Sequence, residues 1–297
     1  MLLNILKSTR PYQWIKNLMV FLPLLFSTNE AWLIDDFPTI LSPLFRSGVI
    51  FLVFVLASSA VYLCNDVLDK KEDIYHMEKK KRPIAAGMIS TKVALTSSFF
   101  LAAMALVICY FTVSDTVWYL LIYFFLMFMY SFFFRSFIVL DVLAISSGFV
   151  LRVLSGAVAI DVPVSVWLYV CMALGAMFIA LSKRYAELLK EEDRPSVTRG
   201  SLSKYRTAFL KPTMYLFLIG TAMAYSVYAV SAENLPSNNS MVFTIPLVLF
   251  GMIRYQFLVN SRGLGEKPEE IISRDFFLVG CVVTWLSLVT VVLVLFR

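Results

Sequence analysis

Long, uninterrupted runs of apolar residues separated by short charged segments dominate the pattern along this chain. Such runs predict membrane-spanning α-helices, because the hydrocarbon core of a bilayer takes about 20 helical residues. Strands of a β-barrel would instead alternate polar and apolar residues over about ten positions. We therefore predict an all-α, polytopic membrane bundle. Its transmembrane helices, about nine of them, are expected at 14–34, 44–64, 92–112, 116–134, 137–160, 165–182, 209–230, 241–259 and 276–296.

The composition agrees with a membrane protein. Hydrophobic residues make up 60% of the chain and charged residues 15%, whereas soluble domains have about 45–50% and about 25%. The mean hydropathy is +0.79. We expect residues 1–297 to form a single integral-membrane domain, capped by the polar loops 65–91 and 183–208. One histidine and four scattered cysteines without CxxC spacing exclude multi-histidine catalysis and a disulfide scaffold.

The positive charges concentrate in alternate connections. The net charge is +6, and the polar loops 65–91 and 183–208 carry many of the Lys and Arg residues, whereas the connections on the other side keep only Arg46 and Arg297. Because cytoplasmic loops hold the excess of Lys and Arg, we predict a cytoplasmic N-terminus and an external C-terminus in a bacterial cytoplasmic membrane. Residues 1–10 do not show the pattern of a cleavable signal peptide, because no small-residue cleavage site follows a short apolar stretch.

An acidic stripe follows the second span. Asp66, Asp69 and Asp73 are spaced three and four residues apart, which places them on one face of a helix. Three like charges need a compensating cation, and carboxylate oxygens suit Mg²⁺, which shares its coordination shell with substrate phosphates. We predict a Mg²⁺ site here, with Mn²⁺ as the second candidate. The alternative is a solvated helix end neutralised by Lys70 and Lys71.

Two segments resemble a known family. Asn65-Asp-x-x-Asp69-x-x-x-Asp73, followed by Lys81-Arg82-Pro-Ile-Ala-Ala-Gly87, resembles the first acidic motif of the UbiA superfamily of intramembrane prenyltransferases. The segment Arg10-Pro-Tyr-Gln-Trp-Ile-Lys16-Asn17 is also similar to that superfamily. The resemblance covers essentially the whole chain. It implies a helical bundle around a central cavity that opens to lipid beneath the two polar loops.

The second polar loop indicates a branch of that superfamily. Members that act on aromatic acceptors usually carry a second Asp-rich motif after span 6, and this chain has Ser182-Lys-Arg-Tyr-Ala-Glu187 instead. This segment, with Asp141, Arg152 and Ser155-Gly156, resembles the polyprenyl-phosphate phosphoribosyltransferases. The resemblance implies 5-phosphoribosyl 1-diphosphate as donor and a polyprenyl phosphate as acceptor, for cell-envelope glycan precursor synthesis. It implies a membrane setting and no nucleic acid. A homo-oligomer, with a trimer as a guess, is left open.

The resemblance also assigns roles to individual residues. The metal would be held by Asp66, Asp69 and Asp73, and the catalytic set would be completed by Lys16, Asn17 and Asn65. The substrate-binding residues would be Lys81, Arg82, Arg152, Lys183, Arg184, Tyr185 and Glu187.

Arg152 admits two interpretations. An arginine inside an apolar span is costly and rarely faces lipid. It either forms a structural ion pair with Asp141, eleven residues earlier, or faces the cavity, where it binds phosphate or gates a helix.

Two other functions stay open. A prenyltransferase of this superfamily would move a prenyl group from prenyl diphosphate to an aromatic or lipid-soluble acceptor, but the missing Asp pair after span 6 disfavours it. A membrane transporter is the non-enzyme alternative. Transporters often contain inverted repeats and midplane binding sites, whereas this chain has no convincing repeat and its acidic stripe lies at a helix end.

Overall fold

The apolar runs form long helices in this computed structural model, which describes residues 1–75, 78–134, 137–163, 165–193, 207–262, 265 and 268–297. A 3₁₀ helix, Pro11–Phe21, lies between the first two α-helices. The α-helices of the described residues are α1 Leu2–Ser8, α2 Leu22–Phe26, α3 Pro38–Leu68, α4 Lys70–Asp73, α5 Thr91–Thr112, α6 Val117–Phe132, α7 Ile138–Ala159, α8 Val166–Asp193, α9 Thr207–Ser231, α10 Ile245–Arg262, α11 Pro268–Arg274 and α12 Phe276–Phe296.

Eight helices in the described part of the chain are long and apolar enough to cross a membrane. They are α3, α5 to α10 and α12, and they confirm the all-α prediction. Helices are the expected form, because backbone N–H and C=O groups in lipid must be paired within the element itself. Helix α8 continues to Asp193, beyond the expected end of its span at residue 182.

The first expected span, 14–34, is not one long helix. It begins as the 3₁₀ helix Pro11–Phe21 and continues as the five-residue α2. Pro23 lacks the N–H group that the interior of an α-helix requires, so a continuous α-helix over 14–34 is disfavoured. The prediction of about nine spans therefore corresponds to eight long helices in the described residues and this shorter segment.

The 3₁₀ helix lies directly against the backbone of α7. A Cβ atom at Gly156 would be 2.2 Å from the Val20 carbonyl oxygen, so only glycine permits this approach. Val20 is fully buried and Asn17 is 1% exposed. The Ser155-Gly156 motif thus has a packing role, because it lets the segment that carries Lys16 and Asn17 enter the bundle.

Four apolar clusters of described residues hold the bundle together, and two of them contain residues of α7. The first joins the 3₁₀ helix to α3, α5, α6 and α7, and in it the rings of Phe54 and Tyr123 pack edge to face at 5.3 Å. The second contains residues of all six helices from α7 through α12. In it the rings of Phe178 and Tyr255 lie 5.6 Å apart. Large apolar side chains such as Phe276 are exposed on the outer surface, as contact with lipid requires.

Charged side chains gather at one end of the bundle, which we call the charged end and define by Asp66, Asp73, Arg82 and Arg184. Helix α5 begins near this end with Ser90, whose hydroxyl accepts a hydrogen bond from the Val93 N–H at 3.3 Å. Helix α12 begins there in the same way, at an aspartate cap. Such caps satisfy N–H groups that a helix leaves free at its start.

The two expected cap loops differ in how far they are described. The loop 65–91 is described except for residues 76–77 and includes the end of α3, the short α4 and a 3₁₀ turn at Lys79–Lys81. Of the loop 183–208, residues 194–206 lie outside the described residues, and residues 183–193 are the last turns of α8.

Candidate active site

The three aspartates of the acidic stripe lie buried at the charged end. Asp66, Asp69 and Asp73 are 2%, 6% and 3% exposed. Helix α3 ends at Leu68, yet the Asp69 N–H donates to the Asn65 carbonyl oxygen and the Asp73 N–H donates to the Asp69 carbonyl oxygen, both at 2.8 Å. The helical turn therefore continues through the break, and the stripe stays close to the end of α3.

Two arginines contact the acidic stripe. Arg82 Nη1 lies 2.7 Å from Asp73 Oδ2 and 3.2 Å from Asp66 Oδ1, and Arg10 Nη2 also donates to Asp66 Oδ1. The Arg10 guanidinium lies over the Tyr62 ring, 4.9 Å from its centroid. Burial alone lowers the pKa of Arg10, but the Asp66 carboxylate offsets this, and the pKa lies above its ordinary value. Arg82 was predicted as a site residue, whereas Arg10 was noted only as part of a motif.

The acidic stripe supplies oxygen ligands that fit a hard divalent ion. Mg²⁺ is usually bound by one or two carboxylates and completes its shell with water and substrate phosphates. In the described part of the chain, no three acidic, histidine or cysteine side chains converge closely enough to hold an ion, and Arg82 bridges Asp66 and Asp73. The stripe therefore fits an ion that arrives with a phosphate-bearing substrate better than it fits a closed protein cage.

Helix α6 supplies two polar contacts that sequence reasoning missed. Ser131 Oγ donates to Asn65 Oδ1 at 2.5 Å, and Arg184 Nη2 donates to the Tyr130 hydroxyl at 3.4 Å. These contacts connect α6 to the acidic stripe on one side and to α8 on the other. Ser131 and Tyr130 sit in an apolar, aromatic run, and no spacing signal marked them.

Arg184 forms a buried ion cluster. Its Nε and Nη2 atoms bind Asp141 at 2.6 and 2.9 Å, and Nη1 binds Glu187 at 2.6 Å. The guanidinium is 4% exposed. Of the two interpretations of Arg152, the ion pair with Asp141 is therefore excluded, because Asp141 binds Arg184. Eleven residues at about 1.5 Å rise separate the two by roughly 16 Å along α7, and Asp141 faces α8 instead.

Arg152 is enclosed by uncharged partners in the described part of the chain. Its Nε donates to Asn17 Oδ1 at 2.7 Å, Nη1 to the Gly148 carbonyl oxygen at 2.7 Å, and Nη2 to the Tyr123 hydroxyl at 3.2 Å. Three aromatic rings lie 5.1, 5.5 and 5.6 Å from the guanidinium carbon. Two predicted site residues, Asn17 and Arg152, are thus in direct contact, and a full positive charge is buried beside neutral groups.

Lys16 contacts a residue that the sequence did not single out. Its Nζ lies 3.3 Å from Glu269 Oε2, and the Glu269 side chain is 7% exposed. Glu269 belongs to α11, in the connection between α10 and α12. The only sequence signal was the polar character of that connection.

Three other predicted site residues occupy different surroundings. Lys81 is exposed at the end of its 3₁₀ turn. Tyr185 is 6% exposed and packs in the apolar cluster that includes Leu210. Lys183 is half-buried on α8, one residue before Arg184. The structure therefore forms two contact groups of predicted site residues. Arg82 contacts the acidic stripe, and Arg152 contacts Asn17. Lys81 lies on the surface.

A model of the UbiA prenyltransferase family matches residues 38–279. This match covers most of the chain and includes the acidic stripe and the Arg184 cluster. The chain belongs to the UbiA prenyltransferase family. Its apolar helices and this membership identify it as an integral membrane protein.

Relatives of this UbiA-family protein match it over nearly their whole length. It is 31% identical over 292 residues to decaprenyl-phosphate phosphoribosyltransferase of Mycolicibacterium smegmatis, covering 96% of this chain and 90% of that protein. It is 30% identical over 286 residues to the protein of the same name from Mycobacterium tuberculosis, covering 96% and 93%.

The fold of the UbiA-family protein agrees with a solved structure. A UbiA homologue from Archaeoglobus fulgidus, bound to DMAPP and Mg²⁺, superposes with a TM-score of 0.73 at 16% identity, covering 98% of this chain and 99% of that chain. At this identity the likeness establishes the architecture, and the residues of the site must be interpreted from this chain itself.

Proposed function

We propose that this UbiA-family protein transfers the 5-phosphoribosyl group of 5-phosphoribosyl 1-diphosphate to a polyprenyl phosphate and releases diphosphate, in the synthesis of cell-envelope glycan precursors. The observation that carries the proposal is the identity of about 30% with decaprenyl-phosphate phosphoribosyltransferases over 96% of the chain. Membership of the UbiA family by itself supports a transferase, whichever substrates the protein uses.

The charges of the site support a substrate rich in phosphate. Lys16, Arg10 and Arg82 lie at the charged end, and Arg152 is buried nearby with neutral partners. Guanidinium groups are suited to bidentate contact with phosphate oxygens. A buried arginine without a carboxylate partner is costly in an apolar span, and an anionic substrate would compensate its charge.

The reaction requires little proton transfer from the protein. The second pKa of a phosphate monoester is about 6, so the acceptor is largely ionised near neutral pH. An acceptor oxygen forms a bond to ribose C1 while the bond from C1 to the diphosphate oxygen breaks. A site without a described histidine is therefore sufficient, because catalysis reduces to positioning and to electrostatic stabilisation of the leaving group.

Different residues of the site would bind the metal, contact the phosphates and position the donor. Asp66 and Asp69, with Asp73, would hold Mg²⁺, which neutralises charge on the diphosphate when bound. Lys16, Arg82 and Lys183 would contact phosphate oxygens, and Arg152 would hold Asn17 toward the donor. Asn65 would act as a neutral donor, fixed by Ser131 of α6.

The placement in the membrane suits both substrates. A polyprenyl tail stays in lipid while its phosphate reaches the interface, and the sugar donor is dissolved in the cytoplasm. We therefore assign the charged end to the cytoplasmic face, which agrees with the positive-inside rule. Its basic residues would raise the local concentration of the anionic donor.

A two-donor assay tests the proposal. Purified protein in lipid nanodiscs receives either 5-phosphoribosyl 1-diphosphate with polyprenyl phosphate, or prenyl diphosphate with an aromatic acceptor. We expect diphosphate release and a lipid-linked phosphoribosyl product with the first pair only. Chelation with EDTA should abolish turnover and Mg²⁺ should restore it, with Mn²⁺ as the comparison. Asp66→Asn serves as the inactive control.

Other results would overturn the proposal. Turnover with the prenyl pair alone would assign the protein to prenyl transfer. Substrate-dependent flux through proteoliposomes without any covalent product would indicate a transporter.

A further inference from the structure

The connection between α10 and α12 docks onto the charged end at two described points. A Cβ atom at Gly265 would lie 2.7 Å from Ala186 Cβ and 2.8 Å from the Ser182 carbonyl oxygen, so the backbone there lies directly on α8. Glu269, on α11, reaches the 3₁₀ helix through Lys16. This connection thus touches two of the segments that carry predicted site residues, α8 and the 3₁₀ helix, although it contains none of those residues.

Glu269 is buried and has unused acceptor capacity. Its side chain is 7% exposed, and Oε2 faces the Lys16 ammonium group at 3.3 Å. That contact is an ion pair, and Oε2 accepts no hydrogen bond of good geometry among the described residues. A carboxylate offers about four acceptor sites, and a buried acceptor without a partner is costly. The buried Tyr255 hydroxyl is within electrostatic range of Glu269 but forms no hydrogen bond to it, so the carboxylate keeps acceptor capacity for a donor that binds at the site.

Glu269 also lies close to the cations of the site. The Tyr62 hydroxyl is within electrostatic range of both Glu269 and Arg152, and Lys16 is within range of Arg152. Two cations, Lys16 and Arg152, and several tyrosine hydroxyls thus lie around Glu269, which is the acidic member of this group. Cations there fit phosphate oxygens, whereas a carboxylate repels them, so Glu269 must face a part of the substrate that donates hydrogen bonds.

We propose that Glu269 binds the 2- and 3-hydroxyl groups of the donor's ribose and thereby selects a sugar diphosphate over a prenyl diphosphate. This inference rests on the proposed function. A vicinal diol can donate two hydrogen bonds to one carboxylate, and a prenyl chain has no donor at all. Glu269 is on this basis a specificity-determining residue, placed by α11 and by the ion pair with Lys16.

A comparison of two donors tests the role of Glu269. We would measure kcat/KM of wild type and Glu269→Gln for 5-phosphoribosyl 1-diphosphate and for its 2-deoxyribosyl analogue, with polyprenyl phosphate as acceptor. Glu269→Gln should lose about 10- to 100-fold with the ribosyl donor, the scale of a hydrogen bond to a charged group. We would also compare kcat/KM for the ribosyl donor with kcat/KM for the 2-deoxyribosyl donor. In the variant this ratio should fall to within about threefold of the ratio of the two donors' uncatalysed reactivities, because the contact to the 2-hydroxyl is weakened.

The matched control is Glu270→Gln on the same helix. Glu270 pairs with Arg274 at 3.4 Å and is 34% exposed, and its substitution should leave both donors within about twofold, as for other surface changes. Size-exclusion profiles and Tm values would report the folding of both variants. Should Glu269→Gln fail to fold, Glu269→Asp provides the same donor comparison with the charge retained at a shorter reach.

The outcomes separate the two proposals. An equal loss with both donors in Glu269→Gln would mean that Glu269 acts only by positioning Lys16, and it would overturn this inference while leaving phosphoribosyl transfer intact. Unchanged kinetics would overturn it as well. Absence of ribosyl transfer by the wild-type protein would instead refute the proposed function.

Discussion

Arg152 is fully charged, but its hydrogen-bond partners in the described part of the chain are all neutral. Its contacts are an amide, a carbonyl, a phenol and three aromatic rings. Cation–π contacts contribute about 0.5–2 kcal/mol each and do not replace a counter-ion. Arg184, by contrast, has two carboxylates within 3 Å. The two buried arginines therefore have different roles, and Arg184 chiefly holds α7 and α8 together.

Substituting methionine at each arginine should separate these roles. We expect Arg152→Met to lower kcat/KM by about 100-fold, as for other groups that stabilise charge during reaction. Its Tm should fall less than that of Arg184→Met, because Asn17 and Tyr123 lose a hydrogen bond but no carboxylate loses its cation. Arg184→Met should destabilise the fold by about 3–5 kcal/mol, because the buried Asp141 and the partly buried Glu187 would lose their cation. The measurements are thermal unfolding in detergent and the two-donor assay. An equal drop in Tm for both variants would argue that Arg152 is structural.

At the scale of elements, one backbone contact fixes the segment that carries Lys16 and Asn17. The 3₁₀ helix meets α7 where Gly156 faces the Val20 carbonyl oxygen. The same helix then places Asn17 against Arg152 of α7 and Lys16 against α11. Irregular helical geometry is acceptable here because the segment packs against other helices.

Gly156→Ala should displace this segment. The added Cβ atom would lie 2.2 Å from the Val20 carbonyl oxygen, and overpacking of this kind costs about 1–3 kcal/mol. We expect a lower Tm and a loss of turnover of about tenfold or more, since small displacements in a site reduce rates strongly. Gly280→Ala in α12 is the matched control, because no atom lies within 4 Å of its added Cβ, and it should be neutral or stabilising by up to about 1 kcal/mol. Wild-type behaviour of Gly156→Ala would contradict the close contact.

At the scale of the whole molecule, the sequence predicted what depends on local pattern. The spans follow from apolar runs, and the acidic stripe follows from spacings within two helical turns. Contacts between helices were not predictable in this way: Asp141 and Arg184 are 43 residues apart, and Lys16 and Glu269 lie near opposite ends of the chain. The separation of Asp141 and Arg152 by eleven residues was readable from the sequence, but it could not tell which neighbouring helix each side chain faces.

The orientation of the bundle can be tested by labelling. Two variants would each carry one cysteine, at Lys71 of the charged end or at Asp35 of the opposite end, both exposed, with the four native cysteines changed to alanine. A membrane-impermeant maleimide should label Asp35→Cys on intact spheroplasts and Lys71→Cys only after lysis, because the positive-inside rule predicts that the charged end faces the cytoplasm. The reverse pattern would place the charged end outside.

The bridge that Arg82 makes between Asp66 and Asp73 has a consequence for how charged ligands bind. The bridge neutralises charge within the site, so a lone cation must compete with the guanidinium and a lone anion must compete with the carboxylates. When both ligands arrive, Arg82 can exchange its carboxylates for a phosphate and leave them to the cation. Each ligand then raises the affinity for the other, and this coupling is reciprocal. The protein would thus admit its metal and its diphosphate as a pair and discriminate against either one alone.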